Sequence, residues 1–208
     1  MLKKSTLLLM WIVMGFAHFT WAIGNPKKGK ALYAVCVACH GTDGAGNKAL
    51  NSPRIAGQEI WYLERQLKNF KTGVRGANSK DVYGMQMRPM AMTLPNDQAI
   101  ADVAAYVNGL KAKPPVAKIK GDTSAGKAAY MICQTCHGAN GEGNKALNAP
   151  KLINQQDWYM VRQLKGFKEG LRGTHPKDVY GMQMRPMSMT LADDKAINNV
   201  VSYIVTFK

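Results

Sequence analysis

All four cysteines of the chain fall in two copies of one pentapeptide, Cys36-Val37-Ala38-Cys39-His40 and Cys133-Gln134-Thr135-Cys136-His137. Two thiols three positions apart, followed at once by an imidazole, form the signature of covalent haem attachment. Each thiol pair would become two thioethers on one porphyrin, and the adjacent histidine would ligate the iron. C-x-x-C alone also serves redox dithiols and zinc sites. A zinc reading leaves only three ligands in each cluster, and a disulfide reading gives the histidines no role. The pattern predicts two covalently bound haem c groups, one on Cys36, Cys39 and His40 and one on Cys133, Cys136 and His137.

A six-coordinate haem iron needs a second axial ligand, usually histidine or methionine. The chain has four histidines. His18 falls in the N-terminal leader, His40 and His137 are already assigned, and only His175 remains. The position equivalent to His175 in the first half is Asn78. Bis-histidine ligation at both irons is therefore excluded by count. Methionine is abundant in one stretch, Tyr83-Gly-Met-Gln-Met-Arg-Pro-Met-Ala-Met92, which recurs as Tyr180-Gly-Met-Gln-Met-Arg-Pro-Met-Ser-Met189. Four methionines per copy compete for one iron, and thioethers also fill gaps around a large flat group.

The elements that must position these residues are also duplicated. Residues 26–111 superpose on 123–208 without a gap, with 48 of 86 positions identical. The chain thus reads as two modules at 23–110 and 122–208. They are joined by a Pro- and Lys-rich linker over 111–121, which Pro114 and Pro115 make extended and semi-rigid. Modules this small bury little surface, and a haem at the centre of each would supply missing core. Three helices are expected per module. The first runs from Pro26 to the cysteine pair. The second covers about Glu59 to Thr72, with Trp61, Leu63, Leu67 and Phe70 on one face. The third starts near Asn96 or Asp97 and ends near Leu110, with Ile100, Val103 and Val107 as its apolar stripe. The glycine-rich stretches 41–46 and 138–143 carry turn chemistry. No segment alternates as a strand.

This pattern resembles class I cytochrome c, and the duplicated whole resembles the dihaem cytochromes of the c4 type. The resemblance implies an all-α fold of two tandem class I cytochrome c domains, each with three main helices around its haem. It implies that the first and last helices cross at a glycine with aromatic neighbours, here Gly29 and Tyr33 against Tyr106, and Gly126 and Tyr130 against Tyr203. It implies Met87 and Met184 as axial ligands, in a distal loop, each followed by a proline two residues on. Met90 and Met187 are the alternatives. It implies that Pro53 and Pro150 offer carbonyls to the proximal imidazoles. Arg65, Arg75, Arg162 and Arg172, with Tyr62, Gln66, Tyr159 and Gln163, recur in both copies as candidate haem propionate donors or as solvated side chains. The chain departs from the family pattern by an extra residue between Leu94 and the last helix.

Composition and charge bound the partners. Lys3, Lys4 and the apolar run Ser5–Ala17 read as a signal peptide over 1–22, with cleavage after Ala22. The run is short for a ~20-residue membrane span. Export to the periplasm follows, with association at a membrane face left open. The chain carries 28 basic and 13 acidic residues, a formal +15. Loss of Lys3 and Lys4 leaves 15 − 2 = +13. Such an excess steers encounter with acidic docking surfaces. No nucleic-acid motif accompanies it, and no small-molecule substrate is expected. The resemblance implies a one-electron carrier between respiratory-chain donors, such as a quinol-oxidising complex, and a terminal oxidase or reductase. A dihaem electron-transfer subunit of a larger periplasmic oxidoreductase is the alternative. A dihaem peroxidase or thiosulfate-oxidising enzyme would need an open iron position, against which the duplicated methionine segment argues.

Overall fold

The computed structural model describes residues 23–208, so the signal peptide assigned to 1–22 lies outside the described residues. The first module contains α1 (Pro26–Leu32), α2 (Ala34–His40), α3 (Ile60–Lys71), α4 (Val82–Met92) and α5 (Asp97–Gly109). The second contains α6 (Thr123–His137), α7 (Asp157–Lys168), α8 (Val179–Met189) and α9 (Asp194–Ile204). Among the described residues there is no strand, only two isolated bridges, Asn47 with Ser52 and Asn144 with Ala149. The all-α, two-module architecture is as the sequence implied.

The helix ends follow their caps. The Asn25 side chain accepts hydrogen bonds from the backbone of Lys27 and Lys28, and Pro26 opens α1 with its φ already helical. Asp122 caps α6 in the same way. Asn96 accepts from Ala99 N at 2.9 Å and fixes the start of α5 where the sequence placed it. Asp193 does the same for α9. The first expected helix is broken in one copy only. Tyr33 separates α1 from α2, whereas α6 runs on through Tyr130 to His137.

Two expectations are corrected. The methionine segment is a helix rather than a loop, and with the break at Tyr33 the first module has five α-helices and the second four among the described residues, where three were expected in each. Asp81 and Asp178 start these helices by accepting from Gly84 N and Gly181 N at 3.0 and 3.1 Å. Pro89 and Pro186 lie inside them, near the C-terminal ends. There each ring removes one helical hydrogen bond and the segment bears the loss.

Each core is built by the last helix against the first and the second. In the first module Ile100, Val103 and Val107 of α5 pack with Tyr33, Leu63 and Leu94. In the second, Ile197, Val200, Val201 and Ile204 of α9 pack with Tyr130, Met160 and Leu191. The crossings are close enough to require glycine. A Cβ on Gly29 would stand 2.0 Å from the Asp102 carbonyl oxygen, and one on Gly126 would stand 2.1 Å from that of Asn199. Tyr33 and Tyr106 then meet at 5.3 Å between ring centroids, and Tyr130 and Tyr203 at 5.6 Å. The linker contains no helix or strand and is tied down. The Arg54 guanidinium donates to the carbonyls of Lys113 and Ala112, and Lys118 N and Ile119 N donate to Asp157.

Candidate haem sites and the junction between them

The cysteine helices present their reactive groups on one turn. Cys36 and Cys39 are three residues apart, as are Cys133 and Cys136, so each pair shares a helix face. One thiol of each pair is half-buried and the other exposed. Burial, with the neighbouring cysteine adding to it, pushes the Cys36 thiol up to about 11. The Cys133 thiol is likewise pushed up to about 11 by burial. The histidines that follow are buried, at 4% and 8% exposure. His40 Nδ1 lies 2.8 Å from the Pro53 carbonyl, and His137 Nδ1 lies 2.7 Å from that of Pro150. A carbonyl can only accept, so Nδ1 carries the proton and Nε2 keeps its lone pair for a metal. Burial lowers both imidazole pKa values, with the proline contacts opposing, and so favours the neutral form that binds iron.

Helix α4 presents its four methionines unequally. Met87 is half-buried, while Met85, Met90 and Met92 are exposed at 46%, 39% and 57%. Helix α8 repeats the pattern, with Met184 half-buried and Met182, Met187 and Met189 exposed. Lys71 Nζ and Lys168 Nζ donate to the carbonyls of Leu94 and Leu191 just beyond each helix.

The recurring arginines converge on the junction of the modules. Arg75 donates to Gln66 of its own module at 2.5 Å and reaches Gln163 of the other at 3.3 Å. Arg172 donates to Gln163 at 2.6 Å and reaches Gln66 at 3.4 Å. The four side chains close a ring about a local twofold relation. Each guanidinium also stacks on a phenylalanine, Phe70 or Phe167, at 4.3 Å. Arg65 donates to Asn148 of the second module, and Arg162 donates to Asn51 of the first. The same two arginines lie over Tyr180 and Tyr83, at 4.5 and 4.4 Å, so each grips the methionine helix of the opposite module.

The residues present fit a haem in each module. Arg75 and Arg172 are buried, at 7% and 9% exposure, with no carboxylate among their hydrogen-bond partners. Their Nε atoms have no partner at all. Buried charge of this kind calls for an anion, and haem propionates are anions. The exposed apolar side chains recur at equivalent positions, including Val35 and Ile132, Leu50 and Leu147, and Met90 and Met187. A flat apolar ring would cover such faces. No three His, Cys, Asp or Glu side chains gather as a metal cluster among the described residues.

Paired C-x-x-C-H helices, buried imidazoles of fixed tautomer and an all-α frame define a two-haem c-type electron-transfer protein. The family model described as cytochrome c matches residues 26–111 and again 123–208. The chain is 37% identical to cytochrome c4 of Azotobacter vinelandii, over 96% of this chain and 95% of that one. It resembles the crystal structure of reduced recombinant cytochrome c4 from Pseudomonas stutzeri with a TM-score of 0.72 at 32% identity, covering 89% of this chain and all of that one. It is also 31% identical to the thiosulfate dehydrogenase electron acceptor of Stutzerimonas stutzeri, over 74% of this chain and 72% of that protein. The chain belongs to the cytochrome c family, in its two-domain cytochrome c4 branch, and carries two covalent haem c groups.

Sequence reasoning left the arginines undecided and missed Asn51 and Asn148. Both asparagines take left-handed backbone conformations, at φ 57° and 55°, which this residue type tolerates. The signal was present, since each asparagine precedes a proline by two residues in both copies. Its meaning depends on the facing module, which no pattern within one copy reveals.

Proposed function

We propose that the protein is a periplasmic one-electron carrier between respiratory-chain donors and a terminal oxidase or reductase. In this reading His40 and Met87 hold one iron, and His137 and Met184 hold the other. The bound haems supply reversible Fe(II)/Fe(III) exchange. The chain's own residues fix each imidazole through Pro53 or Pro150, hold the methionine helices, and supply buried positive charge where the modules meet. The observation that supports the ligand assignment is that one methionine in each methionine helix, Met87 or Met184, is half-buried while the other three are exposed. With both axial positions filled, no site is left for a small-molecule substrate. The basic surface suits acidic docking faces, including those of membrane-bound complexes.

The ligand test is spectroscopic. Oxidised protein should show the charge-transfer band of a methionine–Fe(III) bond. Met87→Ala should remove about half of it, as one of two equal sites, and Met90→Ala should leave it intact. The reverse outcome would reassign the ligand.

The similarity to a thiosulfate dehydrogenase electron acceptor favours a second reading, a dihaem electron-transfer subunit serving one periplasmic oxidoreductase. Purification at native abundance decides between them. A stable hetero-complex supports the subunit and a free monohomogeneous species supports the shuttle.

A further inference from the structure

Arg54 and Lys151 occupy equivalent positions in the two modules, each directly after the proline whose carbonyl meets a proximal histidine. The fold turns both into one polar cleft of about 370 Å³ at the junction, where Lys111 of the linker joins them. Amide side chains of Gln58, Asn108 and Gln155 complete its walls. Gly57, at φ +67°, leaves the floor without a side chain, and a Cβ placed there would lie 4.0 Å from Lys151 Nζ.

The cleft's positive charge is poorly matched. The Arg54 guanidinium donates only to the linker carbonyls of Ala112 and Lys113, with Asp43 the carboxylate that acts on its charge. Neither Lys111 nor Lys151 forms an ion pair among the described residues, where the two ion pairs are Lys68–Asp97 and Lys165–Asp194. Burial lowers the Lys151 pKa. Glu59 opposes that fall, while Arg54 and Lys111 add to it by repulsion. Three cations drawn from both modules and the linker outnumber the two carboxylates that act on them, Glu59 on Lys151 and Asp43 on Arg54, and across a concave polar surface they suit a compact multivalent anion with several acceptor oxygens.

We propose that this cleft binds a small tetrahedral oxyanion of the phosphate or sulfate type, clamped between Arg54, Lys111 and Lys151. The site bridges the two modules on the side of the linker, and it is separate from the Arg75–Arg172 ring.

Calorimetric titration of inorganic phosphate into the complete dihaem protein, at ionic strength held constant with chloride, tests this. One saturable site is expected, with sulfate competing for it. Lys151→Gln and Lys111→Gln should each weaken binding by at least about fivefold, the loss of one charge-assisted contact. Lys195→Gln, an equal change of charge at an exposed position of α9 outside the cleft, should leave binding within about twofold. A visible spectrum and melting curve matching the parent verify that each variant carries both haems. Absence of saturable heat, failure of sulfate to compete, or equal weakening by Lys195→Gln would each overturn the proposal.

Discussion

Replacing Gly29 by alanine should loosen the first module by forcing its crossing helices apart. The new Cβ would stand 2.0 Å from the Asp102 carbonyl oxygen, 2.5 Å from its carbon and 2.9 Å from Tyr106 Cβ. Ordinary contact begins near 3.4 Å, so α1 and α5 must separate by about 3.4 − 2.0 = 1.4 Å along that direction. The obstacle is backbone, which cannot rotate away as a side-chain tip would. Alanine gains about 1 kcal/mol of helix propensity over glycine. Overpacking costs about 1–3 kcal/mol. Separation also weakens the Tyr33–Tyr106 pair and the Asn25 N–Asp102 bond of 2.7 Å, for about 1–2 kcal/mol more. The net expectation is destabilisation by about 1–4 kcal/mol. Chemical denaturation of the dihaem protein, followed by far-ultraviolet circular dichroism and by the haem Soret band, measures it. Gly126→Ala should behave alike, since its Cβ would stand 2.1 Å from Asn199 O. Unchanged or raised stability in both variants would refute a crossing set by glycine.

Other outcomes follow from the junction and the linker. Gln66→Leu removes the acceptor of Arg75 and the cross-module acceptor of Arg172. It should cost about 2–3 kcal/mol, and its combination with Gln163→Leu should depart from additivity by at least about 0.5 kcal/mol; strict additivity in a double-mutant cycle would speak against a shared ring. Asp157→Asn should cost about 1–3 kcal/mol by weakening the bonds that pin Lys118 N and Ile119 N, with faster linker proteolysis as the readout. Burial works to raise the Asp157 pKa, but the backbone N–H donors prevail and it falls below the ordinary carboxylate value. Its contribution is therefore complete above that ordinary value and is lost as pH falls through the lowered one. Acid titration of the parent and of Asp157→Asn should converge at the acid end; a constant gap would remove Asp157 from the acid response.

Much of the site was legible because its signals are local. C-x-x-C-H names its chemistry without reference to fold. Asn96 announces a helix start through its own side chain, and the family resemblance places the helix crossing at Gly29 and Tyr33, where it is found. The loop expected for the methionine segment came from the family resemblance and not from its residues, and Asp81, three residues before Gly84, supplies the cap of the helix that forms there. Arg75 was legible only as a recurring cation. Its acceptors stand partly on the other module, and a duplicated sequence does not say how its copies face one another. The break at Tyr33, absent at Tyr130, was not legible, since both residues are tyrosine three positions before a cysteine and only their neighbours differ, Leu32, Ala34 and Val35 against Ala129, Met131 and Ile132.

The closed ring of Arg75, Gln66, Arg172 and Gln163 bears on how the molecule comes apart. Each half expressed alone would leave a charged guanidinium short of one acceptor and strip the cover from its phenylalanine-stacked face. Cleavage within residues 111–121 should accordingly yield two fragments that elute together, because what unites them is this mutual exchange of acceptors and not the continuity of the chain.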